Sequence, residues 1–384
     1  MPGITSMDNL IASIANGQFY RADWNKNFLP TTAAAAGEWF NLARGGGNPP
    51  ADALYNTGTN LTWQQLLDST ASAGNILHGG NVSPAYKSLL NASGFSAAAT
   101  TMPAVLMLVD LLGFYRLTTT TTTGDQAAVN TLVNNGNWTT DGASNVLTHT
   151  FINLKTFSRV QVSNSGGALP TGLAAATDYW TIKLSDTTCK LATTRANAVA
   201  GTFITISSAG TGTQSFMGTL ARYTDGAGVQ AFMYANNATP LGAGTPNLRL
   251  TYQNSVGVAG QLTPATLPVG KTAANNGVIL YSGTGVGKYG PFMPLVSGDA
   301  GCERITQINL SATYTSGELS VVQCHPLLTL PMTTIGVAGE RDLLNQVPSL
   351  PRIYDGACLM WLIYNGALTP VNSAFYGHLD FAWN

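Results

Sequence analysis

The spacing of apolar residues changes along the chain, from a short helical period to a period of two. Near the start, Leu10, Ile11 and Ile14 have one-turn helical spacing, and a second group at 63–67 repeats it. The segment 85–91 is a third short candidate helix, and loops rich in Gly and Pro, such as 44–50, separate the three. This pattern predicts a mixed, partly helical N-terminal region over residues 1–103, of the kind that wraps a neighbouring subunit as an arm.

From residue 104 onward the pattern is that of strands. The segment 104–117 is largely apolar and favours a strand covered on both faces, although periodicity does not distinguish it from a buried helix. The run of six threonines at 118–123 is β-branched and favours extended backbone, as an edge strand or a linker. Further apolar runs predict strands at 229–234, 248–252, 277–281, 308–314, 319–324, 358–364 and 375–383. Together, residues 104–136 and 217–384 predict a β-sandwich or jelly-roll body, and the chain as a whole is predicted to be mainly β.

The segment 137–216 has the features of a small β domain inserted into that body. Trp180, Ile182 and Leu184 alternate with polar neighbours, which predicts a strand with one buried face. The same alternation recurs at 189/191 and at 204/206, with turn residues between the runs. Four or five short strands in this length predict a small Ig-like β-sandwich.

Charge is unusually scarce in this chain of 384 residues. Charged residues make up 9% of it, 17 basic and 18 acidic, for a formal net charge of −1. An average soluble domain carries roughly 25%, so Thr, Ser, Asn, Gln and Gly must cover most of the surface. Because like-charge repulsion keeps solitary proteins dispersed, a chain that omits it is expected to function assembled with other subunits.

The same numbers argue against two classes of partner. Binding a nucleic-acid backbone needs clustered Lys and Arg, and the chain has no such block, so no nucleic-acid partner is predicted. The most apolar run, 102–112, contains Asp110 and is well short of the roughly 20 residues of a spanning helix, so no membrane partner is predicted either. The first residues lack the basic and apolar regions of a secretory signal, and we expect synthesis in a cytoplasm.

No motif in the sequence carries a recognisable chemistry. The glycine-rich segment 282–289 has Ser and Tyr where a phosphate-binding P-loop needs Gly and Ser or Thr. The four cysteines are scattered and are predicted to be small buried hydrophobes, and the four histidines lack metal-ligand spacing: Cys189, Cys302, Cys324, Cys358, His78, His149, His325 and His378. Six carboxylates could supply a glycosidase pair but are expected to have structural roles: Asp299, Glu303, Glu318, Glu340, Asp342 and Asp355. We therefore predict no catalytic, metal or cofactor-binding residue and no enzymatic activity.

Three blocks of the inserted segment resemble a known module. They are 167–180 (GALPTGLAAATDYW), 190–201 (KLATTRANAVAG) and 208–213 (SAGTGT), and they resemble a small β-sandwich module of tailed-bacteriophage virion proteins in sequence, order and spacing. The match covers about a fifth of the chain. Short aromatic and glycine motifs of the body, including Gly287 to Phe292 and the closing 375–383, are similar to those of virion proteins encoded beside capsid genes. The resemblance implies a structural protein of a phage virion, with a module that carries no catalytic residues.

Composition and resemblance together lead to one main expectation and one alternative. The main expectation is a capsid decoration or cement protein that forms a homo-oligomer, as a trimer, and stabilises the shell of the major capsid protein. The alternative is a phage tail or receptor-binding protein whose inserted module and aromatic residues contact host glycans. The seven Trp and fourteen Tyr fit a sugar-binding face, but they also fit interfaces and sandwich cores.

Overall fold

The fold is known from a computed structural model of the chain. It describes residues 3–27, 37–55, 57–70, 73–97, 101–118, 123–126, 132–236, 239, 246–264, 267–268, 277–280, 290–366 and 373–384. Most of the threonine run at 118–123 and the glycine-rich segment 282–289 lie outside the described residues.

Strands dominate the described residues, which confirms the prediction of a mainly β chain. The helices are α1 (Met7–Ala15), α2 (Arg195–Val199) and α3 (Leu343–Gln346), with a 3₁₀ turn at Leu42–Arg44. The first strands are β1 (Phe19–Asn27), β2 (Glu38–Asn41), β3 (Gly47–Asn48), β4 (Trp63–Gln65), β5 (Lys87–Phe95), β6 (Ala104–Leu117) and β7 (Gly124–Asp125). Those of the inserted segment are β8 (Val133–Thr140), β9 (Leu147–His149), β10 (Arg159–Ser165), β11 (Tyr179–Lys183), β12 (Thr188–Ala192) and β13 (Thr213–Gly218). The remainder are β14 (Gln230–Ala235), β15 (Asn247–Asn254), β16 (Gln261–Leu262), β17 (Leu267–Pro268), β18 (Ile279–Leu280), β19 (Cys302–Leu310), β20 (Leu319–Met332), β21 (Gly339–Asp342), β22 (Arg352–Ile353), β23 (Leu359–Asn365) and β24 (Ala374–Trp383).

The strands outside the inserted segment form three antiparallel sheets, and those of residues 1–103 (β1 to β5) lie in the first two beside strands of the predicted body. We call these three sheets together the body. The first has the order β21-β5-β24-β1-β3 with β22 also on β5, the second has the order β18-β14-β20-β6-β23-β2 with β4 also on β6, and the third has the order β16-β15-β19-β7 with β17 also on β15. The largest apolar core draws its buried side chains from the first and second sheets, and another draws them from the second and third. The first sheet joins the two ends of the chain, since β1 pairs along its whole length with β24.

Strand β6 contributes to both cores. Leu106, Leu108 and Phe114 lie in the core shared with the first sheet, whereas Leu112 and Tyr115 lie in the core shared with the third. This confirms the prediction of a strand at 104–117 with both faces covered. Because both faces are buried, apolar residues occupy consecutive positions and the period of two disappears from the sequence.

Only one of the three helices predicted in the first hundred residues forms. Helix α1 begins after Ser6, whose side chain accepts a hydrogen bond from the backbone N–H of Asn9, and it buries Leu10. The predictions at 63–67 and 85–91 are wrong, because Trp63 lies in β4 and residues 87–95 form β5. Strand pairing overrides the local spacing, since β4 pairs with β6 and β5 is enclosed between β21 and β24.

The inserted segment closes into a six-stranded antiparallel barrel. The ring order is β10-β11-β12-β9-β8-β13, and β13 returns to β10. Cys189, Leu191 and Ile206 are buried in its core, as the alternation predicted. The strand predicted at 204/206 is wrong, because residues 202–210 are irregular. A barrel and a small sandwich bury the same alternating positions, so the sequence pattern did not distinguish the two arrangements.

In strand β11 the buried face is the opposite of the predicted one. Tyr179 and Thr181 are buried, whereas Trp180 and Ile182 are half-buried and Leu184 is 52% exposed. The glycine Gly257 of the body explains the position of the indole: a Cβ there would lie 3.3 Å from the ring of Trp180. The aromatic residue therefore packs outside the barrel, against the body.

The barrel and the body also share a polar junction. Arg159 of β10 donates through Nε to Glu303 of β19 at 3.2 Å and through Nη1 to Asp178 of the barrel at 2.9 Å. Lys155 Nζ donates to Asp225 at 3.1 Å. Burial raises the pKa of Glu303 to about 7, and the guanidinium of Arg159 opposes that shift.

A fully buried ion pair lies where the cores meet. Arg222, just after the barrel, donates through Nε and Nη2 to the two carboxylate oxygens of Asp110 in β6, at 2.9 and 2.7 Å, and both side chains are 0% exposed. Arg222 also donates to the carbonyl oxygens of Leu66 and Leu111, and Asp110 accepts the backbone N–H of Cys358. The pair thus connects four separate parts of the chain.

We expect Asp110→Leu to lower the free energy of unfolding by roughly 3–5 kcal/mol, because it removes the carboxylate that is hydrogen-bonded to the buried guanidinium of Arg222. The double variant Asp110→Leu/Arg222→Met should recover a large part of that loss. The control is Arg21→Met in the pair with Asp380, where the arginine side chain is 51% exposed and the cost should be roughly 0–1 kcal/mol. Urea unfolding measures all three, and a cost for Asp110→Leu no larger than the control would contradict the structural role of the pair.

The raised pKa of Glu303 at this junction predicts that the stability of the fold depends on pH. The pKa of Glu303 is about 7 in the folded chain, above its ordinary value of 4.5, so between these pH values the folded chain holds a proton that the unfolded chain releases. This group therefore adds stability below about pH 4.5 that is lost as the pH rises through 7. Against Glu303→Gln, which does not titrate, the wild-type chain should lose roughly 3 kcal/mol between pH 4.5 and 8 in denaturant unfolding. A difference that does not change with pH would be the contrary result.

Candidate ligand-binding face

The outer face of the first sheet gathers polar side chains from four strands. Along β1, β5 and β24, alternate residues such as Trp24, Ala92 and Leu379 are buried in the core, so their neighbours point outward. The pairing register aligns these neighbours in rows: Glu340, Ser93, His378 and Asp23 form one, and Asp342, Asn91, Asp380 and Arg21 form the next. We call this surface, with Phe95 and Tyr376 beyond the first row, the outer face.

Glycines on the inner side hold this sheet close to the core. Gly377 of β24 pairs with Gly94 of β5 and with Trp24 of β1. A Cβ at Gly377 would collide with the backbone oxygen of Ser93 and lie 2.8 Å from the indole of Trp24. The ring of Trp24 in turn packs 5.5 Å from that of Trp361 in the second sheet. The strands of the outer face are therefore packed closely against the core on their inner side.

His378 is at the centre of the outer face. Its Nδ1 lies 2.8 Å from Ser93 Oγ, and its backbone N–H donates to the same oxygen at 3.3 Å. Its Nε2 lies 3.5 Å from the Asn91 amide and 3.8 Å from a carboxylate oxygen of Asp380. Arg21 neutralises that carboxylate with two donated hydrogen bonds, at 2.7 and 2.8 Å, and the pairing raises the pKa of Arg21.

Ser93, His378 and Asp380 are the residue types of a nucleophile, a base and an orienting acid, but their arrangement does not supply that chemistry. A catalytic triad needs the acid hydrogen-bonded to the base, whereas Asp380 faces Arg21. Acyl transfer also needs backbone N–H groups aimed at the developing oxyanion. Ser93 lies inside the sheet, where its strand pairs on both sides, and its oxygen already accepts the backbone N–H of His378. The group has the geometry of a hydrogen-bonded binding surface.

An aromatic pair and a cavity complete the outer face. Phe95 and Tyr376 are opposite each other on β5 and β24, with ring centroids 5.4 Å apart and planes inclined by 27°. They are 36% and 38% exposed. Beside them is an open cavity of about 500 Å³, within the range of ligand pockets. Its lining comprises Asp23, Trp24, Asn25, Asn48, Ser93, Phe95, Ala338, Glu340, Tyr376, Gly377 and His378.

The cavity has an acidic character. Asp23 and Glu340 belong to its wall, and Glu340 accepts a hydrogen bond from the amide of Asn91. Within the described residues, neither carboxylate takes part in an ion pair, whereas the charge of Asp380 is balanced by Arg21. The cavity therefore presents carboxylate acceptors, amide donors and a hydroxyl beside an apolar aromatic surface.

The other residues considered from the sequence lie outside the cavity wall. All four cysteines are free and buried, as predicted, and burial raises the pKa of the Cys189 thiol to about 12. His149 lies in the barrel core, where burial lowers its pKa to about 4. Five of the six candidate carboxylates lie outside the cavity wall: Asp299 accepts from Tyr252 and Asn254, Glu303 from Arg159, Glu318 from Arg116, Asp355 from the backbone of Val82 and Ser83, and Asp342 caps α3.

Two structural findings bear on metals and membranes. Within the described segments, no three His, Cys, Asp or Glu side chains are grouped so that they could hold a metal ion. None of the helices there combines the length and the apolar character needed to cross a bilayer.

Sequence reasoning identified single residues of the outer face but not the group. His378 and Glu340 were considered separately and are 38 residues apart, and Asp23 and Ser93 carried no signal. Most tryptophans, the first candidates for a sugar platform, are buried in cores. The usable signal was the alternation of polar residues with apolar ones at 19–25 and 376–380, which marks a solvated face but does not say which strands lie side by side.

Comparison with known proteins adds little. No family model matches the chain, and no curated protein matches it. Among solved structures, the chain is similar to the subviral particle of infectious bursal disease virus VP2, at 9% identity and a TM-score of 0.16, covering 95% of this chain and 80% of that one. For a structure of the Gx strain of infectious bursal disease virus, the identity is 10%, the TM-score 0.10 and the coverage 80% and 84%. At these TM-scores the likeness supports no conclusion on fold or function.

The geometry around Ser93 predicts that its hydroxyl is not an activated nucleophile. We expect no labelling by a fluorophosphonate probe under conditions that fully label a serine hydrolase control, because Asp380 is paired with Arg21 and does not orient His378 as a base. Intact-protein mass spectrometry measures the adduct. Stoichiometric labelling that Ser93→Ala abolishes would overturn this interpretation.

Proposed function

We propose that the protein is a structural component of a bacteriophage particle, a capsid decoration or cement protein that binds and stabilises the shell of the major capsid protein. The observation that carries the proposal is how little charge reaches the surface. At least ten of the 17 basic and 18 acidic residues are buried: Lys26, Glu38, Arg44, Asp52, Lys87, Asp110, Arg159, Arg222, Glu303 and Asp380. The exterior is thus even poorer in charge than the composition indicates.

The buried charges have internal partners that hold loops and sheets together. Lys26 donates to the carbonyl oxygens of Gly45 and Pro49, at 2.8 and 2.9 Å, and Lys87 donates to those of His78 and Gly80, both at 2.6 Å. Burial lowers the pKa of both lysines to about 8. These groups do not contribute to the repulsion that keeps free proteins apart, and this favours a protein that works inside an assembly.

Large apolar side chains are exposed in several places. On α1, Met7, Ile11 and Ile14 are 56%, 59% and 46% exposed and follow one another at helical spacing, beside the buried Leu10. Neutral surfaces with apolar anchors are suited to wide protein contacts that symmetry repeats. We propose such contacts both with the major capsid protein and between copies of the chain, as a trimer located in the virion.

The phage-module resemblance of 167–213 supports the same class of function. The barrel that contains these blocks, β8 to β13, is a closed unit whose two ends lie together, since Val133 of β8 pairs with Gly218 of β13. A unit that leaves and rejoins the body at one point is compatible with an addition that decorates a host domain. We propose no enzymatic activity, no cofactor and no nucleic-acid partner.

A second candidate function is that of a tail or receptor-binding protein that contacts host glycans. The observation in its favour is the cavity on the outer face, where the aromatic pair lies beside carboxylate and amide groups. Copy number separates the two candidates: hundreds per particle for a shell component, and tens or fewer for a tail component.

The cement proposal predicts saturable binding to expanded heads that lack the protein. We expect bound heads to rupture at a higher temperature, measured by release of packaged DNA, because added contacts hold neighbouring capsid subunits together. A variant in which a short Gly-Ser linker replaces residues 137–216 should still bind heads, provided that its circular dichroism and melting curve show a folded body.

Two results would count against the cement proposal. A full-length protein that binds bacterial cells or polysaccharide but not expanded heads would exclude the cement role. Quantitative gel staining of purified particles that gave tens of copies would favour the tail alternative.

A further inference from the structure

From the outer face we infer a binding site for a neutral or amino-substituted saccharide, in the cavity between the Phe95–Tyr376 pair and the Asp23–Glu340 carboxylates. The inference gives the second candidate function a ligand class and a location on the body, outside the inserted module. It rests on the outer face alone and not on whether the protein is in the shell or the tail.

The aromatic pair provides the apolar half of such a site. A pyranose ring has one face lined by C–H groups, and it stacks on aromatic rings that stay partly exposed and hold a fixed orientation. The rings of Phe95 and Tyr376 meet both conditions, since they are over one-third exposed and are packed against each other at 5.4 Å. Their strands are paired from Lys87 to Phe95, so the platform exists before a ligand arrives.

The next row provides the polar half. Glu340, Ser93, His378 and Asp23 lie two residues further along their strands, roughly 7 Å from the aromatic row, a spacing that suits one sugar ring with its hydroxyls. A hydroxyl both donates and accepts hydrogen bonds, and this row with the neighbouring amides contains both kinds of partner. The remaining donors and acceptors of the wall come from Asn25 and Asn48.

Charge selects among saccharides. Asp23 and Glu340 make no ion pair among the described residues, and Arg21, in the adjoining row, is engaged by Asp380. A sialic acid, a uronic acid or a sugar phosphate would bring a third negative charge to this wall and lose its hydration without compensation. A neutral sugar accepts the carboxylates as hydrogen-bond acceptors, and an amino sugar gains a favourable charge contact.

Glycan arrays and titrations with the full-length protein test the site. The probes are immobilised oligosaccharides of glucose, galactose, mannose, N-acetylglucosamine and glucosamine, with sialylated and sulfated sugars as the anionic set. We expect binding within the neutral and amino sets, and affinity for anionic sugars lower by about tenfold or more. The strongest neutral probe is then titrated while the four histidine ring signals are followed by NMR, and His378 should shift whereas the buried His149 should not.

Variants locate the site. Tyr376→Ala should weaken binding of that probe about tenfold, because it removes half of the stacking surface. Phe203→Ala is the matched control, since Phe203 is a 40% exposed aromatic residue on the inserted segment, and its loss should leave binding unchanged. Asp23→Asn/Glu340→Gln should reduce the discrimination against anionic sugars while keeping the shape of the cavity.

Three outcomes would overturn the inference: no binding of any neutral or amino probe at 10 mM, a preference for anionic sugars, or loss of binding with Phe203→Ala but not with Tyr376→Ala. The last would locate a glycan site on the inserted segment. Head binding by Tyr376→Ala, measured in parallel, keeps this result separate from the cement proposal, which does not involve the outer face.

Discussion

The buried ion pair of Asp110 and Arg222 is the constraint on which the rest of the architecture depends. Two charges in an apolar interior are tolerated only when every polar atom has a partner, and here each has one, from Leu66, Leu111 and Cys358. Asp110 lies in the long strand that contributes to both cores of the body, and Arg222 lies where the chain returns from the barrel. The pair therefore links the central strand to the segment in which the chain leaves the barrel.

Charged residues are few in the chain, and at least ten of them are buried. A chain with few ionisable residues places many of them inside, where they bind carbonyl oxygens of loops, as Lys26 and Lys87 do, or join the barrel to the body, as Arg159 does. Internal charges give specificity to a particular arrangement but do not help solubility. The surface is left to neutral polar groups and exposed apolar side chains, which suits a subunit that is covered by its neighbours.

The outer face brings several charged side chains together. It holds carboxylates, a histidine and an arginine in adjoining rows of one sheet, beside two stacked aromatic rings. Within the described residues, the carboxylates of Asp23 and Glu340 make no ion pair, and carboxylates are costly to desolvate. The proposed saccharide would give them hydrogen-bond partners through its hydroxyl or amino groups.

The sequence by itself determined the class of fold, helix α1, the strand at 104–117 and the burial of the cysteines. These depend on local composition and on burial of one residue type, which a single chain displays directly. Only the tertiary structure decided that residues 63–65 and 87–95 are strands, that the inserted strands close into a barrel, and that Trp180 packs outward against Gly257. It alone assembled the outer face, since Asp23, Ser93 and His378 are far apart in the chain. The physical reason is that strand pairing is non-local: alternation fixes which side chains share a face, but the register that makes them neighbours depends on partners hundreds of residues away.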